Sequence, residues 1–298
     1  MRVTQSMLSN NLLRNINTSY SKLSKLQQQI ESGSVITRPS DDPVVAVKGM
    51  AYRNDLDKIN QYDRNIREGN TWLDSSEEAL GQVGDTLTRV KELLVQAAND
   101  TNTSEERQKI CEEISQIKSH IIDIANTKVG ENYIFSGTHT DQPLFNGNTI
   151  NNSVTPAGAE RAVSINVFDG ISLEVNVSGK VLFANINNFM STAENLLNTG
   201  ATGESIGNLL GSGNTGLSGI TEEVLKVRAN VGARQNRIEM MSNRLSIQNV
   251  NVTKQLSQNE DTDYALAITE MTTAQSIHQA SLSVGANIIQ QTLVDFIR

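Results

Sequence analysis

The chain has 298 residues, of which 37% are hydrophobic and only 4% aromatic, and it carries a formal net charge of -8. With a pI near 5.0 it has no basic stripe to neutralise phosphates, which excludes a general nucleic-acid binder. The shortage of aromatics and the wealth of Asn, Gln, Ser and Thr suit a long, surface-rich architecture better than a compact enzyme core.

Four prolines, Pro39, Pro43, Pro143 and Pro156, leave the stretches 44–142 and 157–298 free to form long helices. The first helix is expected over Met7 to Ile30, where Leu8, Leu12, Leu13, Ile16, Tyr20, Leu23, Leu26 and Ile30 recur at threes and fours, and Gly33 is placed to stop it. SVITRPSDDP then reads as a hinge. Ser40 or Asp41 is expected to cap the next helix, with Asp42 near its positive end and Pro43 in its first turn.

From Val44 to Asn99 the pattern is helical, and Leu73, Leu80, Leu87 and Leu94 repeat every seven residues. DTNTS (100–104) is a polar turn, in which Ser104 lacks a capping-box acid three residues on while Glu105 and Glu106 favour a helix start. Ile110, Ile114, Ile117, Ile121 and Ile124 follow, four and three apart, and the short connection makes this helix antiparallel to the one before it. Cys111 lies among them. As the sole cysteine it excludes an internal disulfide, and it reads as a small core residue.

Between 130 and 219 charge thins out and Gly, Asn, Ser and Thr dominate. Val163, Ile165 and Val167 alternate, Asp169-Gly170 forms a turn, and Ile171, Leu173, Val175 and Val177 alternate again, which specifies a hairpin. A short helix is expected from about 188 to 198, and GSGNTGLSG leads flexibly into the next element. The segment reads as a small β-rich insertion at the tip of a rod.

The rod's return helix runs from Ile220 to Asn259. Val224, Val231, Ile238, Leu245 and Val252 are spaced by seven, and Ile220, Val227, Arg234, Met241, Gln248 and Gln255 fill the second seam position. At a rise of about 1.5 Å per residue such a helix is roughly 60 Å long. The seam on this helix needs partners, and Leu73, Leu80, Leu87, Leu94, Ile110, Ile117 and Ile124 supply them. The fold class expected is therefore mainly α: an elongated antiparallel coiled-coil or helical-bundle rod with adjacent chain ends. After EDTDYA, whose acids suit a helix start, the chain turns apolar through Leu282, Val284, Ile288, Ile289, Leu293, Val294, Phe296 and Ile297. Other subunits, or the first thirty residues, have to bury such a segment.

No catalytic constellation is present. His120, His139 and His278 lie far apart, no HExxH, GxSxG, P-loop or dinucleotide fingerprint occurs, and His139 with Asp141 is too small a set for a metal. No cofactor and no metal are expected, and the carboxylate pairs on the helices read as solvated faces. The first thirty residues lack the apolar run of a cleaved secretory leader. No stretch of eighteen apolar residues occurs, so membrane insertion is not expected either, and bulk properties alone suggest a cytoplasmic protein.

Two ends of the chain change that reading. IESGSVITRPSDDP (30–43) and LTRVKELLVQAAN (87–99) at the front, with VGARQNRIE (231–239), EDTDYA (260–265) and the apolar end in FIR at the back, resemble the terminal regions of bacterial flagellins and their relatives. Within that superfamily the prolines of RPSDDP depart from the filament proteins. GENYIFSGTHTDQPLF (130–145) is similar to a segment of the hook-associated branch.

The resemblance implies segments 1–43 and 265–298 as polymerisation segments, 44–130 and 218–264 as the rod, and 131–217 as a variable insertion. It implies a structural subunit exported through the flagellar type III apparatus to the outside of the cell, with an export chaperone on its C-terminal region. Its further partners would be a hook-side junction protein, flagellin, and copies of itself in a ring. Leu8, Leu12, Ile16, Leu23, Leu282, Ile288, Ile289, Leu293 and Phe296 are then the residues expected to pack on assembly. A short filament-forming flagellin is the alternative, and a cytoplasmic coiled-coil adaptor the remoter one.

Overall fold

The computed structural model describes residues 5–99, 102–151, 161–211, 213 and 216–294, without the side chains of 5, 6, 8 and 287–294. Among these, the helices are α1 (Gln5–Ser32), α2 (Pro43–Ala97), α3 (Ser104–Ala125), α4 (Lys180–Asn198), α5 (Gly203–Asn208), α6 (Leu217–Glu260) and α7 (Tyr264–Val294). The strands are β1 (Lys128–Val129), β2 (Asn132–Tyr133), β3 (Phe145–Asn146), β4 (Thr149–Ile150), β5 (Ser164–Phe168) and β6 (Ile171–Glu174), paired antiparallel as β1-β2, β3-β4 and β5-β6. The class is mainly α with a small β part. The chain divides into two compact units, Met1–Lys58 with Gln248–Arg298, and Ile59–Ile247. Helices α2 and α6 contribute residues to both.

The larger unit is built on the seven-residue spacing. Leu73, Leu80, Leu87 and Leu94 on α2 are at most 1% exposed, and Val83 and Val90, on the same stripe, are fully enclosed. On α6, Val224, Val231, Ile238 and Leu245 are buried with Ile220. Two side-chain links fix the direction of the pair: Arg228 donates to Glu77 at 2.6 and 3.0 Å, and Gln235 donates to Asp74 at 2.8 Å, so α6 runs antiparallel to α2.

Helix α3 begins on Thr103, not on Ser104. The Thr103 hydroxyl accepts from the Glu106 amide while the Glu106 carboxylate accepts from the Thr103 amide at 2.9 Å, a complete capping box one residue earlier than expected. Ile110, Ile114, Ile121 and Ile124 are buried, whereas Ile117 is half-buried. The core face of α3 therefore turns away from a strict 110-117-124 line, as a straight 3.6-residue helix does relative to a seven-residue repeat.

Helix α4 begins at Lys180, about two turns before the expected start, and packs on α3 through Leu182, Ile186, Met190, Ala193 and Leu197. Its N-cap is Gly179 with no side-chain cap, so the sequence carries no start signal there. Lys118 and Glu194 form a 2.7 Å ion pair with side chains only 11% and 19% exposed. Arg107 donates to the Ala201 carbonyl at 2.9 Å, which sets α4 antiparallel to α3. The Cys111 thiol lies 3.5 Å from Asn198 Oδ1, and burial first, then the nearby Glu194 and Glu112 charges, push its pKa up.

The expected hairpin forms as β5-β6, with Phe168 paired to Ile171 across Asp169-Gly170 and Gly170 at φ 71°. It lies on α2 and α6. A Cβ on Gly69 would stand 2.8 Å from Ile165 Cδ1, 3.0 Å from Val175 Cγ1 and 3.3 Å from Ile238 Cδ1, so this glycine is what lets the hairpin reach the helix. Phe168 stacks on Tyr62 at 6.4 Å between centroids, and Arg244 covers the ring at 4.2 Å. Arg234, which interrupts the second seam position on α6, donates to the Asn176 carbonyl and to Glu174, at 2.8 and 2.7 Å. Its charge serves the hairpin instead of a coiled-coil partner.

Candidate assembly interface

The smaller unit holds both described ends of the chain. Helices α1 and α7 pack antiparallel, with Tyr20 over His278 at 6.2 Å between ring centroids and Leu12 against Gly285. The face of α7 turned inward is made of small residues. Ala267 and Ala274, seven apart, are each 6% exposed, and a Cβ on the buried Gly285 would come within 2.8 Å of Leu12 Cδ2. Close approach of the two backbones is the result.

Large apolar residues take the other faces. On α7, Tyr264, Leu266, Ile268, Ile277, Leu282 and Val284 are 47–59% exposed, and on α1 Met7, Leu13 and Tyr20 are 54–64% exposed. A helix that is apolar around most of its circumference requires burial on more than one side. Of the residues expected to pack on assembly, Leu12, Ile16 and Leu23 are half-buried along α1, and Leu282 is exposed. The side chains of Leu8, Ile288, Ile289 and Leu293 lie outside the described ones, and Phe296 lies outside the described residues. The sequence reading passed over the inward alanines and glycine because small residues leave no trace in a hydrophobic pattern.

Where α1 and α7 meet the neighbouring helices, the two connecting segments are pinned together. Gly33 ends α1 at φ 69°, its amide on the Gln29 carbonyl at 3.0 Å, and the Tyr264 hydroxyl lies 2.8 Å from where a Cβ would be. Ser34 pairs with Asp261 in an isolated antiparallel bridge; the Val35 amide donates to the Glu260 carbonyl at 2.7 Å and the Thr262 amide to the Gly33 carbonyl at 2.9 Å. The Glu260 side chain, 9% exposed, pairs with Arg53 at 2.5 Å and lies flat on Gly49, where a Cβ would stand 1.7 Å from its Oε1. Asn259 donates to the Val45 carbonyl at 2.9 Å.

Caps finish both segments. Asp42, not Ser40 or Asp41, caps α2, accepting from the Val44 and Val45 amides at 3.0 and 3.1 Å. Asp41 instead closes the preceding turn, and the hydrogen bond from the Arg38 amide holds its carboxyl below the usual carboxylate range. Asp263 caps α7 through the Ala265 and Leu266 amides at 3.0 and 3.2 Å.

His139 and Asp141 share a turn, and among the described residues no group of three or more His, Cys, Asp or Glu is placed to hold a metal ion. No helix among the described residues is long and apolar enough to cross a membrane.

Residues 3–140 match the model of the bacterial flagellin N-terminal helical region, and residues 217–297 that of the bacterial flagellin C-terminal helical region. A flagellin of Clostridium tyrobutyricum is 30% identical over 60% of this chain, which spans 45% of that protein's length. Flagellar hook-associated protein 3 of Escherichia coli (strain K12) is 25% identical, over 94% of this chain and 95% of its own length. The crystal structure of FlgL from Bacillus cereus superposes with a TM-score of 0.58 at 25% identity, covering 70% of this chain and 99% of that one. The matched regions hold α1, α2 and α3 at the front and α6 and α7 at the back, and on that ground the chain belongs to the flagellin superfamily.

Proposed function

We propose that this chain is a structural subunit of the bacterial flagellum that forms a ring at the hook-filament junction. It adapts hook-side subunits below it to the first flagellin subunits above. The observation that carries the reading is the outward apolar surface of α1 and α7 in a single chain, where Leu266, Ile268, Ile277 and Leu282 are 47–59% exposed. End-to-end similarity to a hook-associated protein 3 supports the junction role.

Segments 1–43 and 265–298 are the polymerisation segments in this reading. Leu12, Ile16, Leu23 and Leu282, with Leu8, Ile288, Ile289, Leu293 and Phe296, are buried when neighbouring copies arrive. Each such side chain contributes roughly 1.5 to 3 kcal/mol on burial, against about 1 to 2 kcal/mol of backbone entropy per ordered residue. Inside one molecule the small inward face of α7 offers little apolar area, so the helix pair is marginal until a neighbour adds to it. The subunit leaves the cell through the type III flagellar apparatus, accompanied by a chaperone on its C-terminal region. It acts mechanically, without a cofactor.

A filament-forming flagellin is the second reading, favoured by the 30% identity to the Clostridium tyrobutyricum protein. The experiment is seeded polymerisation of the purified chain. A junction subunit stays monomeric or stops at limited rings, whereas growth into long fibres by this chain alone overturns the junction reading in favour of the filament one.

A further inference from the structure

We infer that α1 is a basic amphipathic helix that lies on the surface of an anionic lipid bilayer when no neighbouring subunit covers it. Charge is the first observation. Residues 1–30 hold Arg2, Arg14, Lys22 and Lys25 and no acid, whereas the other 268 residues carry 21 cations against 33 acids. An acidic chain thus contains one distinctly cationic segment.

The placement of those charges on the helix is the second. Leu12, Ile16, Leu23, Leu26 and Ile30 are spaced by threes, fours and sevens and share one face of α1, with Leu13 and Tyr20 at its edge. At about 100° per residue, Arg14 and Lys25 fall on the opposite side and Lys22 on the flank. All three are exposed, and none belongs to an ion pair among the described residues. Helix α7 leaves the apolar face largely open. Only Leu26 on it is buried; Leu12, Ile16, Leu23 and Ile30 are half-buried, and Leu13 and Tyr20 are 54% and 64% exposed.

A helix that is apolar on one side and polar with cations on the other has the make-up of one that rests in the headgroup plane without spanning the bilayer. The spread of the cations favours lipid over an acidic protein. From Arg14 to Lys25 they extend about 17 Å along the axis and partway around it, so a protein groove would need carboxylates matched to each, whereas a sheet of headgroup charge meets them in any rotation. Helix α7 is apolar too, yet Tyr264–Val294 contains no Lys or Arg, which makes it an internal control. Lipid and neighbouring copies then compete for one face of α1, so a subunit leaves the bilayer as it assembles. That purpose rests on the assembly reading; the test does not.

Flotation of the purified full-length chain with vesicles tests it, using phosphatidylcholine alone and phosphatidylcholine mixed with phosphatidylglycerol. The result expected is binding to the mixed vesicles that weakens as salt is raised, little binding to the neutral ones, and amide-exchange protection gained over 5–32 with 73–94 unchanged. Replacing the three cations together, Arg14→Gln, Lys22→Gln and Lys25→Gln, should weaken binding by roughly tenfold or more. Leu13→Ser with Tyr20→Ser should weaken it at unaltered charge. These positions are exposed, and unchanged exchange at 73–94 will show that the larger unit still folds.

The inference is overturned if the chain ignores the mixed vesicles, as it would were the partner an acidic protein. Equal binding to neutral and anionic vesicles, the signature of contact through the cation-free α7, also overturns it, as does a triple variant that binds like the native chain. Every readout comes from the lone chain and stands or falls separately from the ring.

Discussion

Helices α6 and α7 follow each other with three residues between them and use their apolar side chains in opposite ways. On α6, Val224, Val231, Ile238 and Leu245 are at most 2% exposed, while Leu225, Met240, Ile247 and Val250 stand singly on its other faces at 56–65% exposed. On α7 it is Ala267 and Ala274 that are buried, while Leu266, Ile268, Ile277 and Leu282 face outward. The buried seam of α6 is satisfied inside one chain; in the assembly reading proposed above, the exposed apolar residues of α7 serve contacts between chains. On that reading, stability of the subunit and capacity to assemble are written on different helices.

The largest effect should come from the buried seam. Leu80→Ala, at a position with no exposed surface, should lower the unfolding free energy by about 4 kcal/mol in urea titration; a loss under about 1 kcal/mol would mean that the seam is not where the larger unit's stability lies. Next, Lys118→Met should cost about 3 kcal/mol by stranding the Glu194 carboxylate, and Lys118→Met with Glu194→Leu should recover most of it. Thr103→Ala removes the capping box and should cost about 1 kcal/mol.

The smallest change in stability should sit on α7, where the comparison is sharpest. Leu282→Ser should alter subunit unfolding by no more than about 0.5 kcal/mol while reducing motility in a complementation assay. If subunit stability falls as far as it does in Leu80→Ala, α7 is an intramolecular core helix and the contrast fails. Cys111 gives the control: buried and with its thiol pKa raised, it should label slowly with a thiol reagent at pH 8 until the larger unit opens. Trimming of the chain ends by protease back to near Val44 and Tyr264 should leave that slow labelling unchanged.

Much of the larger unit was legible because large apolar residues at a fixed spacing leave a strong pattern. The α2 and α6 stripes and the Asp169-Gly170 hairpin follow directly from it. What was not legible had a physical reason in each case. Helix α4 starts on a glycine without a side-chain cap, and β1 to β4 are two residues each, too short for any period to register. Arg234 was counted as a seam position because its partners, Glu174 and the Asn176 carbonyl, are about sixty residues away in sequence. Of the residues named for assembly, Leu282 is exposed and Leu12, Ile16 and Leu23 are half-buried, while the exposed Leu266, Ile268 and Ile277 on α7 were not named. The inward alanines of α7, and Glu260 reaching Arg53 across 207 positions, were not legible either.

Helix α4 also bears on how the chain could be re-engineered. It lies within the stretch 131–217 that the sequence reads as an insertion, yet Ile186 and Met190 are completely enclosed and Glu194 neutralises a lysine of α3. Removing the insertion wholesale to display a foreign peptide would therefore expose an apolar trough along α3 and leave Lys118 without its counter-charge. A graft at the exposed Asn146-Gly147-Asn148 turn between β3 and β4, where Gly147 has open space around it, leaves that packing in place. That turn is surface that can be rewritten; α4 is structural timber.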